Sequence, residues 1–126
     1  MAEQEKKRAI LLVDHGSRRE QANDQLQELA RRVRAQRPEW AVHTAHLELA
    51  EPSVAQALDL CAETGVQEVY LHPFFLSPGR HTREDLPALA REACERHPGL
   101  RVHVTEPLGV DDAMVAVVLE RITACL

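Results

Sequence analysis

The chain has 126 residues, 44% hydrophobic and 28% charged, the composition of one soluble α/β-sized domain that buries a core of its own. A net charge of −5 and 3% aromatic residues argue against a nucleic-acid partner, which wants a basic face or stacking rings. No apolar run approaches the ~20 residues that cross a bilayer, and the opening MAEQEKKR lacks the apolar segment of a secretory signal, so a cytoplasmic protein without a membrane partner is expected.

Residues 8 to 13, with the run AILLV, read as a strand covered on both faces. A helix follows from about Glu20 to Ala35, with Ala22, Leu26, Leu29, Ala30 and Val33 on one stripe. Residues 40 to 48 are extended and run into HLELAEPS. Pro52 suits the first turn of a helix whose stripe is Val54, Ala57, Leu58 and Cys61, ended by Gly65. VQEVYLHPFF is the third strand and SPG the turn after it. Thr82 or Asp85 then caps a helix with the stripe Leu86, Leu89, Ala90, Ala93 and Cys94, Pro87 falling in the first turn if Asp85 is the cap. LRVHV alternates like a half-exposed edge strand, and Asp111 or Asp112 opens a final helix to about Ala124. The three cysteines form no CxxC pair; Cys61 and Cys94, on helical stripes, read as buried reduced thiols.

Four β-α alternations imply an α/β fold with a parallel sheet, right-handed crossovers and helices on both faces. Ligands of such sheets bind beyond the carboxyl ends of the strands, where strand order reverses. If the first strand lies between the second and third, DHGSRRE and SPGRHTRED flank that crevice and bring His15 and His81 face to face.

Of seven histidines, His43, His97 and His103 read as solvated, while His46 and His72, near strand ends, are ambiguous. His15 and His81 stand at strand-to-loop junctions; the alternative for either is a turn-stabilising role. Two neutral imidazoles hold a borderline divalent metal, and Glu48 can complete an open site unless it is only a solvated strand end. Asp14 either orients His15 through a hydrogen bond or caps the loop backbone. Ser17 lacks a GxSxG elbow and reads as a turn anchor. Arg18, Arg19, Arg80 and Arg83 on the same loops suit carboxylate or phosphate, with Phe74, Phe75 and Leu76 as an apolar wall. A phosphohistidine phosphatase fits DHG superficially, but Asp14 stands where that chemistry wants an arginine.

VDHGSRREQAN, HLELAEPSV and PFFLSPGRHTREDLP, in this order and spacing, resemble the small sirohydrochlorin chelatases of the short CbiX and SirB type, over about Ile10 to Gly109. LELAEPS and FFLSPGRH look particularly like the ferrochelatases of sirohaem synthesis. The resemblance implies a single chelatase-like (flavodoxin-like) three-layer domain over residues 1–126, and insertion of Fe²⁺ or Co²⁺ into sirohydrochlorin, a tetrapyrrole with carboxylates round its rim. It places the metal-handling histidines on His15 and His81 and the strand-end acid on Glu48. The macrocycle-contacting loop falls on Leu76, Ser77, Pro78, Gly79, Arg80 and His81, with Arg18 and Arg83 meeting peripheral carboxylates. Asp14 stands where Gly is common in relatives. Plant-type members carry a cysteine-rich extension for an iron–sulfur cluster; this chain stops at Cys125-Leu126, so no permanently bound cofactor is expected. An ordinary imidazole, titrating near ~6.5, can both ligate a metal and accept a pyrrole proton. Three functions follow: a ferrochelatase, a cobaltochelatase of cobalamin synthesis, or a non-catalytic metal or tetrapyrrole carrier. Longer chelatases related to the family hold two such domains in one chain, and the final helix, with Met114, Val115, Val117, Val118, Leu119 and Ile122 spread over more than one face, wants cover beyond its own sheet. A homodimer is expected.

Overall fold

In the computed structural model, which describes residues 6–77 and 79–126, strands β1 (Arg8–Asp14), β2 (Ala41–His46), β3 (Glu68–Pro73) and β4 (Arg101–Val104) alternate with helices α1 (Glu20–Gln36), α2 (Val54–Glu63), α3 (Arg80–Arg96) and α4 (Asp112–Thr123). Pro78 lies outside the described residues. The strands pair in parallel in the order β2-β1-β3-β4, so the first strand does lie between the second and third. At its carboxyl end Val13 faces Ala45 on one side and Pro73 on the other.

Side-chain alternation along β1 feeds two cores. Ala9, Leu11 and Val13 join Val54, Ala57, Leu58 and Cys61 of α2 and Leu86 and Ala93 of α3. Leu12 and Ile10 turn to the other face, against Leu26 and Ala30 of α1 and Val42 of β2. Burying a leucine such as Leu11 or Leu58 contributes ~2–3 kcal/mol, so the helical stripes are what hold α1, α2 and α3 to the sheet. Burial also pushes the Cys61 thiol up to about 11, as befits an inert core thiol; Cys94 is half-buried and Cys125 exposed. β4 is the expected edge strand, with Arg101 and His103 exposed and Val102 and Val104 half-buried.

Three boundaries differ from the sequence reading. Pro52 is not in the first turn of α2: Ser53 is the N-cap, in a capping box with Gln56, and the Pro52 carbonyl instead accepts from the His46 N–H at 2.9 Å. β2 ends at His46, leaving Glu48 in the bend beyond it. α3 starts at Arg80 behind Gly79, so neither Thr82 nor Asp85 caps it and Pro87 falls inside the helix. Leu86, Ala90 and Ala93 bury that helix on both sides of the proline, and their packing outweighs the amide that Pro87 cannot donate.

At the amino end of the sheet Glu68 is buried among partners: Arg8 Nε and Tyr70 OH donate to Oε1 at 3.0 and 3.1 Å, and His103 Nε2 lies 3.2 Å from Oε2. These donors, the arginine first, hold its carboxyl down at about 2. His103 also stacks on Tyr70 and is not simply solvated.

α4 is the exception to the layering. Asp111 caps it through the Ala113 N–H at 2.8 Å, yet none of its residues is buried, and Val115, Val117, Val118, Leu119 and Ile122 are 43% to 56% exposed. Among the described residues no helix is long and apolar enough to cross a membrane.

Candidate functional site

β1 delivers Asp14 at its last rung and His15 one residue later. From there the loops after β1 and β2 stay joined by their backbones: the Leu47 N–H donates to the Asp14 carbonyl at 2.9 Å and the Glu48 N–H to the His15 carbonyl at 3.0 Å. Gly16 makes this approach possible. Its φ is +89°, and a Cβ there would collide with the Glu48 carbonyl oxygen and meet His46 Cβ at 2.9 Å. His15 and Glu48 are thereby set side by side. The His15 ring lies against Phe75, centroids 4.3 Å apart and tilted by 37°. Phe75 is itself buried, and its backbone is held at both ends, N–H to the Pro73 carbonyl at 2.9 Å and carbonyl from the Leu108 N–H at 3.0 Å. Ser17 is a turn anchor: its Oγ accepts from the Arg19 N–H at 3.0 Å, and its backbone exchanges two hydrogen bonds with the Asn23 amide.

His15 and Glu48 form one wall of a cleft of about 490 Å³, and His81 stands on the other with Thr82 and Asp85. The sequence reading put His81 in a loop; it occupies the first turn of α3. Asp85 follows one helical turn later on the same face, and Glu92 lies further along. Neither was anticipated as a cleft residue. The i, i+4 spacing of His81 and Asp85 carries that signal once the helix begins at Arg80 and not at Thr82 or Asp85. Among the described residues no three His, Cys, Asp or Glu side chains converge closely enough to enclose an ion. The cleft is a pair of facing walls, not a cage.

The remaining candidates scatter around it. Arg83 lines an adjoining pocket of about 360 Å³ with Thr105, Glu106 and Thr82, and Thr82 is shared with the cleft. Arg80 is exposed, 3.6 Å from Glu84, a pairing of little energy at such a surface. Arg18 does not reach the cleft: it lines a separate hollow of about 380 Å³ with Ser17, Asn23 and Leu49, between α1 and the loop after β2. Leu76, Ser77 and Gly79 are exposed on the segment between β3 and α3 and are not among the residues lining the cleft. Phe74, Leu76 and Leu49 leave apolar surface near the strand ends, Leu49 in the left-handed region at φ 66°. Asp14 does not bond His15; its Oδ1 is 2.5 Å from Nδ1 of His46. His72 Nδ1 lies 2.9 Å from Thr105 Oγ1, and burial holds its pKa below the ordinary imidazole value. His97 pairs with Asp59 at 2.8 Å, away from the cleft.

The sequence matches the family CbiX over residues 9–125. It is 41% identical, over 93% of its length, to the chloroplastic sirohydrochlorin ferrochelatase of Arabidopsis thaliana, of which it spans 52%. It is 26% identical, over 90% of its length, to the sirohydrochlorin cobaltochelatase of Methanococcus maripaludis, of which it spans 96%. Its fold superposes with a TM-score of 0.84 on the sirohydrochlorin chelatase SirB from Bacillus subtilis subspecies spizizenii in complex with cobalt, at 28% identity, covering 94% of this chain and 50% of that one. The chain thus spans about half the length of the plant relative and of SirB.

The backbone approach at Gly16 can be checked by unfolding in urea. Gly16→Ala combines a positive φ with a collision against backbone and should lose on the order of 2–4 kcal/mol. Gly99→Ala, with nothing within 4 Å of the new methyl, should stay near wild type.

Proposed function

The chain belongs to the CbiX family, and on that footing we propose that it is a sirohydrochlorin ferrochelatase, inserting Fe²⁺ into sirohydrochlorin to make sirohaem. One observation carries the reading: His15 and Glu48 on one wall and His81 on the facing wall of a single open cleft at the carboxyl end of the sheet. Iron is favoured because the plant ferrochelatase is the more identical of the two chelatases compared. A second reading, cobalt insertion, draws on the cobaltochelatase of nearly equal length and on SirB with cobalt. Imidazole and carboxylate donors accept either ion.

Insertion exchanges two pyrrole N–H protons for one divalent ion, whose bound waters leave as ring nitrogens replace them. The metal is substrate here. A closed ligand set would retain it, whereas an open one keeps positions free for the incoming nitrogens. His15, braced on Phe75, and His81, braced by the first turn of α3, approach from opposite sides, so one imidazole can ligate while the other takes one pyrrole proton, the second passing to Glu48 or to a departing water. Glu48 supplies negative charge beside His15. Arg83, one pocket away across Thr82, lies where a rim carboxylate of a macrocycle seated in the cleft can reach it. Cys61, buried and unpaired, suits a reducing cytoplasmic setting.

The active form is a homodimer. α4 exposes five large apolar residues and is packed into neither core. Relatives of twice the length contain as much chain again in one molecule; a second copy of this chain supplies that cover through an isologous contact.

His15→Ala and His81→Ala should each lower multiple-turnover metal insertion by ~10²-fold or more while the thermal midpoint holds, because both side chains are exposed; spectrophotometry of sirohydrochlorin with Fe²⁺ or Co²⁺ reads this directly. Near-wild-type turnover in both, or stoichiometric binding without turnover by the unaltered protein, would remove the enzyme assignment.

Arg83→Ala should raise KM for sirohydrochlorin more than it lowers kcat, since a rim carboxylate is held equally before and during insertion. Arg80→Ala should do so less, since Arg80 lines neither the cleft nor the adjoining pocket. An unchanged KM in both returns these arginines to plain surface charge.

Light scattering at micromolar concentration should give twice the 14.2 kDa chain mass. Full activity at the single-chain mass would exclude the dimer.

A further inference from the structure

We propose that Asp14 and His46 form a positioning pair that sets where His15 and Glu48 stand. The two are the last register partners of β1 and β2, with Oδ1 and Nδ1 at 2.5 Å. His46 is 2% exposed, and alternation puts its side chain and that of Asp14 on the face shared by Leu12, Val42 and α1. The pair therefore stands behind the backbone whose other side bears the cleft. His46 is absent from the cleft lining and borders only the separate hollow beside α1, so a role in the cleft has to pass through its neighbours.

What it touches is the frame of the site. Its Cβ is the second neighbour of Gly16, after the Glu48 carbonyl; its N–H is fixed to the Pro52 carbonyl at 2.9 Å. Immediately beyond the pair come the Leu47-to-Asp14 and Glu48-to-His15 backbone bonds. Main-chain pairing alone permits small shifts of one loop along the other. A short charge-assisted bond between side chains at the final rung removes that freedom. Displacement of the first loop by a fraction of an ångström would also move the His15 ring off Phe75.

The inference rests on the proposed roles of His15 and Glu48, so its test includes a readout independent of activity. His15 ring protons lie in the ring current of Phe75, and their NMR shifts report the imidazole's position. In Asp14→Ala and His46→Ala those shifts should move and kcat should fall ~10-fold or more, with KM for sirohydrochlorin within about twofold. His46→Asn, whose Nδ2 can donate where Nδ1 does, should restore most of both. Wild-type His15 shifts in both alanine variants would overturn the pair, whatever the activity. So would losses that follow the thermal midpoint alike in all three variants, the mark of a merely structural contact. If the unaltered protein does not insert metal, the proposed activity fails, and the His15 shifts alone still decide whether the pair positions that ring.

Discussion

The structure depends on β1 pairing in parallel on both sides at once. A strand with parallel neighbours on each edge has no solvent-facing edge, and helices cover both of its faces, so it must be apolar along its length; AILLV meets that demand. The same pairing decides where polar residues can go. They are expelled to the ends, and because every crossover returns to the amino end, the carboxyl ends of β1, β2 and β3 gather their loops in one place. Asp14, His15 and Glu48 are close because β1 and β2 run in register up to His46, and His81 faces them because β3 passes into α3 on the other side of β1.

The cleft couples rigid and open parts. Its first wall starts from backbone: two inter-loop hydrogen bonds and a glycine seated on a carbonyl bring His15 and Glu48 together, and the Asp14–His46 contact lies at the rung directly behind them. Its second wall is a helical turn, which presents His81 and Asp85 on one face at a spacing the helix itself dictates. Neither wall closes on the other. For the proposed transfer of an ion from water to a macrocycle such an arrangement has a physical advantage, because a donor set that satisfied every coordination position would compete with the ring nitrogens.

α4 shows what the layered core does not use. α1, α2 and α3 each lay an apolar stripe on the sheet, and the two cores close without the final helix. A helix of valine, leucine and isoleucine gains little by standing in water, since each half-exposed side chain forgoes about 1 kcal/mol of burial. The surplus apolar surface is at one end of the chain, clear of the cleft lining, so covering it need not obstruct the site.

The sequence by itself determined the alternation of strands and helices, the apolar stripes of the first three helices, the parallel sheet and the two strand ends beyond which His15 and His81 stand. These are periodic or local signals, legible because burial imposes a period of two on strands and 3.6 on helices. The three motifs also carried the family resemblance. Tertiary structure decided what lies between distant residues. Asp14 meets His46, thirty-two positions away, because strand register aligns them, and no local pattern distinguishes that partner from His15. Arg18 turns to the hollow beside α1 and leaves the cleft, since the bonds between Ser17 and Asn23 steer the loop there. α3 begins before the expected caps and runs through Pro87 because packing of Leu86, Ala90 and Ala93 outweighs local propensity. Gly16 is required by a carbonyl from another loop, a contact that exists only once β1 and β2 have paired.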